Sequence, residues 1–244
     1  MRSKMILSLL LLSFSLSISA QFETAIVEKK IEDIWSENKS ERITKLKELL
    51  IELPPELRTA YSSEKDYWQA YIHYKLGLSY LSKDKDKAKE SFHNAIEILE
   101  QIERPNSESY ALGGTLSSTL ISVSSDKAFG LSQDANKQFQ KSLELSKNNP
   151  RAYLGLGKSD FYKPAQYGGG ERVEEYLKKA LSYYKEEEKS NEQGPTWGKE
   201  EVYYLLSAFY NRIERIRDAK FHNSLGLKEF PQNELLLIQK EKFN

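Results

Sequence analysis

The chain of 244 residues contains no cysteine, and that absence excludes disulfides, thiolate metal sites and a lipid-bearing cysteine behind an export signal. Histidine is nearly as scarce. The three present, His73, His93 and His222, have no second histidine at metal-ligand spacing, so no metal site is expected. Formal charge is also missing: 36 basic residues balance 36 acidic ones, and without Arg2 and Lys4 the basic count falls to 34. No basic excess therefore draws the chain to nucleic acid or to anionic lipid. Nothing matches a nucleophile elbow, and no glycine-rich loop follows a strand. The reading is accordingly of a protein that is not an enzyme and carries no cofactor.

One long apolar run exists, and it lies at the start. Arg2 and Lys4 precede the stretch Met5 to Ile18, and Ile18-Ser19-Ala20 supplies small residues for cleavage. The run is short against the roughly 20 residues a spanning helix needs. Residues 1–20 are read as a signal peptide cut after Ala20, which predicts a periplasmic or secreted protein with no membrane span after cleavage.

What remains is a mixture of 30% charged and 39% hydrophobic residues, the composition of amphipathic helices with solvated outer faces rather than of disorder. Val27, Ile31, Ile34 and Trp35 recur at helical spacing. Ser40 reads as the N-cap of a second helix whose stripe is Ile43, Leu46, Leu49, Leu50 and Leu53, stopped by Pro54-Pro55. Residues 21–63 thus predict a helical hairpin. Ser63, with Asp66 three residues on, reads as a capping box for the helix through Tyr71, Tyr74 and Tyr80.

Four related copies of a helix-pair pattern then follow one another. Leu76-Gly77-x2-Tyr80 is followed by Ala88-x3-Phe92-x2-Ala95. A weaker copy has a serine-rich first helix with Gly113-Gly114, then Ala135-x3-Phe139-x2-Ser142. The third begins at Asn149-Pro150, an N-cap and first helical residue, with Tyr153, Leu156 and Gly157 before Val173, Leu177 and Ala180. Four extra residues separate its helices. The fourth has Tyr203, Leu206, Ser207 and Tyr210, then Ala219 and Pro231. This pattern resembles the tetratricopeptide repeat (TPR), a 34-residue helix-turn-helix.

The resemblance implies an all-α, right-handed superhelical solenoid of antiparallel helix pairs, with four pairs over residues 64–231, the second degenerate, and a C-terminal capping segment over 232–244. In finer detail, NNPRAYLGLG, the later GGG and PTWGKEE look like TPR proteins of Bacteroidetes-like bacterial envelopes. More distantly the chain is similar to the T-component of TRAP-type periplasmic transporters.

By the resemblance, ligands lie along the groove lined by first helices. In this register that places Tyr71, Tyr74, Arg151, Lys158, Phe161, Tyr162, Tyr204 and Arg212 in the groove. Aromatic faces with interspersed bases suit an extended peptide and its carboxylates. The implied function is an exported, non-enzymatic scaffold for another envelope protein or a peptide, with homo-oligomerisation possible. The alternative is an accessory of a periplasmic transport system handling a small organic ligand. Gly168 to Gly170 read as a tight loop rather than an anion nest, because Glu171, Glu174 and Glu175 follow immediately.

Overall fold

A computed structural model describes residues 26–37, 39–53, 62–190 and 194–243, with the side chains of residues 62 and 63 left aside. The signal reading and Pro54-Pro55 lie outside these residues. The described chain is helical, with no strand among the described residues: α1 (26–36), α2 (Arg42–Glu52), α3 (Ser62–Tyr80), α4 (Lys85–Glu100), α5 (Ser107–Leu120), α6 (Ala128–Leu145), α7 (Pro150–Tyr162), α8 (Val173–Glu187), α9 (Lys199–Arg212), α10 (Ile216–Glu229) and α11 (Glu234–Glu241). No described helix is long and apolar enough to cross a membrane.

Sequential helices pack as pairs, α3 with α4, α5 with α6, α7 with α8 and α9 with α10. The chain divides into two compact units, with the boundary at Glu103/Arg104, between α4 and α5. Unit 1 holds α1 to α4. Its core gathers Ile31, Leu46, Trp68, Ile72 and Phe92, all buried. Ser40 does not cap α2: Glu41 occupies that position and makes no side-chain cap bond. Ser63 falls inside α3 rather than ahead of it.

Unit 2 holds α5 to α11. Two of its first helices begin alike: Asn106 accepts from the Ser109 amide at 2.9 Å and Asn149 from the Ala152 amide at 2.9 Å, each satisfying an amide that has no helical acceptor. Glycine then lets the paired helices close. A Cβ added to Gly114 or Gly155 would lie 2.5 Å or 2.2 Å from the ring of Phe139, and one on Gly157 would lie 2.6 Å from Leu177. Phe139 of α6 therefore fits against its own pair through Gly114 and against the next pair through Gly155, which is how a stack acquires one continuous core.

Candidate interaction face on the first helices

Helices α5, α7 and α9 lie side by side, in that order, within unit 2. The α7–α9 seam collects the residues with recognition chemistry. Lys158 of α7 is ion-paired to Glu201 of α9 at 2.7 Å, both half-buried. Near the C-terminal ends of the two helices, the Arg212 guanidinium sits 3.6 Å from the centroid of the Phe161 ring and donates through Nη1 to the Phe161 carbonyl at 2.7 Å. That carbonyl belongs to the last turn of α7, where a cation is favoured by the helix dipole. Nε and Nη2 of Arg212 have no partner among the described residues.

Tyr162 meets Phe161 edge-on, with ring centroids 4.9 Å apart, yet is 61% exposed. Partial desolvation raises its phenol above the ordinary value; Tyr204 and Glu201 push the same way, while Lys158 and Arg212 oppose it. These couplings place Tyr162, Tyr204 and the Lys158–Glu201 pair within electrostatic reach of one another. Neither phenol hydroxyl is hydrogen-bonded among the described residues. The result is a face with an exposed ring, a half-buried ring, a neutralised ion pair and one guanidinium held in place with donors to spare.

Of the eight expected groove residues, the structure brings together Lys158, Phe161, Tyr162, Tyr204 and Arg212. Phe161 is buried beneath Arg212, so it serves as the stacking support of the guanidinium and not as open surface. Tyr71 and Tyr74 are a correction. Both are buried in unit 1, where Tyr71 stands edge-on to Trp68 at 5.7 Å and Tyr74 packs 6.3 Å from Phe92.

Arg151 is a second correction. It is 1% exposed and lies between two carboxylates, bonded to Glu108 of α5 through Nε and Nη2 and to Glu187 of α8 through Nη1 and Nη2. Burial by itself would lower its pKa, but Glu108 above all, with Glu187, holds the guanidinium charged. Asn149 adds a bond to Glu108 at 2.6 Å and another to Ser107 at 2.9 Å, and Ser107 donates to the Ser142 carbonyl of α6. The arginine thus ties α7 to α5 and α8, and Ser107 extends the network to α6. No single-residue signal marked Glu108 as its partner, because the pairing spans 43 positions.

The insertion between α7 and α8 is closed by its own backbone. The amides of Gly168, Gly169 and Gly170 donate to the carbonyls of Ala165, Pro164 and Asp160. The Asp160 carboxylate accepts from the Arg172 amide at 2.7 Å, just before α8. Gly168 and Gly170 have φ of 76° and 91°, and a Cβ at Gly169 would strike the Lys163 carbonyl oxygen at 1.9 Å. All three amides are occupied, in keeping with a structural loop. Trp197 and Gly198 act similarly: the Trp197 carbonyl accepts from buried Tyr184, and Gly198 has φ of 105°.

No family model matches the chain, and no curated protein matches it. Among the solved structures to which the chain is similar are the two that follow. One is the crystal structure of YrrB, described as a TPR protein with an unusual peptide-binding site, at 20% identity and a TM-score of 0.36, over 82% of this chain and 85% of that one. The other is PilW, described as a widely conserved type IV pilus biogenesis factor, at 14% identity and a TM-score of 0.35, over 90% of this chain and 97% of that one. The paired-helix architecture is established by the helix packing described above.

Proposed function

We propose that this chain is a non-enzymatic interaction protein that holds an extended segment of a protein partner across the α7–α9 seam, and that it acts in the bacterial envelope after removal of residues 1–20. The observation that carries the reading is the arrangement at Arg212. Its guanidinium is fixed by Phe161 from two directions, through ring and carbonyl, while its Nε and Nη2, like the hydroxyls of Tyr162 and Tyr204, have no partner among the described residues. Holding the group in place before binding reduces the entropy lost when a ligand carboxylate docks. A bidentate carboxylate suits those donors, and the tyrosine rings supply contact area for the neighbouring peptide side chain. Lys158, neutralised by Glu201, adds aliphatic stem rather than charge. The site therefore favours a peptide with one acidic group next to an apolar side chain.

The reading is tested by selecting ligands from a random peptide library on immobilised protein and remeasuring them on a Tyr162→Ala, Tyr204→Ala, Arg212→Ala triple variant. Enriched peptides should share an acidic residue, and their affinity should drop at least about tenfold, which is roughly 1.4 kcal/mol. Peptides that bind the triple variant as well as the parent would place the interaction elsewhere.

A further inference from the structure

Apart from Glu200 near its start, the residues of α9 that are not buried form one stripe, Glu201, Tyr204, Ala208, Asn211 and Arg212, spaced so that they share a single helix face. Glu201 and Arg212 stand at its two ends, eleven residues and about 16 Å apart along the axis. Helix α7 meets both ends. Lys158 pairs with Glu201, and the Phe161 carbonyl and ring hold Arg212. Tyr162 lies one turn beyond Lys158, and its phenol senses the charges of Lys158, Glu201 and Arg212.

The two ends differ in what they offer an incoming segment. Arg212 makes no ion pair among the described residues, whereas Lys158 and Glu201 already neutralise each other at 2.7 Å. That pair is within reach of a ligand, because the two side chains keep 20% and 27% of their exposure. A charged residue arriving there meets one attractive and one repulsive partner. To pair with either, it must part the two and leave the other half-buried without its counter-charge, which costs more than an exposed pair returns. An uncharged side chain faces no such cost. The two ends are one turn apart along α7 and three turns along α9, so about 5 to 16 Å separates them, or roughly two to five residues of extended peptide.

We infer that the Lys158–Glu201 pair is a charge filter in the α7–α9 seam, restricting the partner to a segment whose acidic residue, held at Arg212, has an uncharged residue about two to five positions away. The inference rests on the seam being the binding site, and it names a second position that the partner must satisfy. Specificity at this position comes from rejecting competitors rather than from an added attraction, because neither member of the pair gains a new partner when the right segment binds. Segments with clustered charges of either sign are excluded, although Arg212 alone would accept an acidic cluster. Glu201 lies in the first turn of α9, where the helix dipole favours a carboxylate, and this holds the acidic member of the pair in place.

The probe is a random peptide library with one fixed glutamate, selected in parallel on the full chain, on Glu201→Gln, on Lys158→Gln and on the exchanged pair Glu201→Lys, Lys158→Glu. Sequences enriched on the parent should be depleted of both acidic and basic residues at one position near the fixed glutamate. Glu201→Gln should enrich an acidic residue there about tenfold, and Lys158→Gln a basic one about tenfold, a figure typical of one charge pair gained. The exchanged pair should restore the parent's preference, which a merely structural role for the two residues would not produce. Both single variants should keep the parent's unfolding transition, since the two side chains are half-exposed. Unchanged selection by both single variants, or acceptance of charge at every position by the parent, would overturn the inference while leaving the seam as the binding site. Parent binding that survives Arg212→Ala would overturn the seam reading and this inference together.

Discussion

The two arginines that bracket α7 invite comparison. Arg151, in its first turn, and Arg212, of α9, against its last, were both expected to line a groove, and the helices place them oppositely. Arg151 is enclosed and its charge consumed by Glu108 and Glu187, while Arg212 is exposed, held by one ring and one carbonyl. The difference is one of surroundings, not of residue type. At the start of α7 three neighbouring helices converge with two carboxylates, and the guanidinium can be desolvated because it is fully paired. At the end of α7 the insertion follows, and Arg212 makes no ion pair among the described residues. The first site serves the stack and the second remains available to a ligand.

The comparison can be broken most directly at Arg151. Arg151→Met should leave Glu108 without its main partner and cost about 3 to 5 kcal/mol, read as a lower urea midpoint with an unchanged slope. A loss no larger than that of an exposed ion pair would remove the distinction. The corresponding Arg212→Met change should cost only about 1 kcal/mol, the value of one charge-assisted bond and one cation–π contact, while ligand affinity falls. A loss in stability equal to that of Arg151→Met would make Arg212 a structural residue too. The smallest effect sharpens the contrast. Glu214, two residues beyond Arg212, has φ of 61°, a left-handed conformation that glycine adopts without the Cβ penalty. Glu214→Gly should raise stability by about 0.5 to 1 kcal/mol in thermal unfolding without altering binding, as expected where a helix end has not been optimised for folding.

Much of the architecture was legible because it depends on short-range rules. Asn149-Pro150 reads as a helix start from cap chemistry alone, and Gly157 reads as a close helix contact because nothing larger fits against Leu177. The cap at Ser40 was misread for a related reason. Serine, the sequence pattern and the stripe behind it agreed, but the turn entering α2 brings Glu41 to the cap position instead. Half of the candidate site was legible in the same way. A register of repeats assigns Lys158, Tyr162, Tyr204 and Arg212 to one side of successive first helices. It could not report that Tyr71 and Tyr74 would be buried in unit 1, nor that Phe161 would lie beneath a guanidinium.

The linear chain by itself determined the helices, their pairing and the spacing of the small residues between them, since capping, periodicity and steric fit act over one or two turns or one repeat. Tertiary structure alone decided which cations are spent and which are free. Arg151 meets a carboxylate 43 positions earlier and another 36 positions later, and Lys199 is likewise buried between Glu188 and Glu229. Charge neutralisation depends on distance in space and on exclusion of water, and neither is fixed until the helices have stacked.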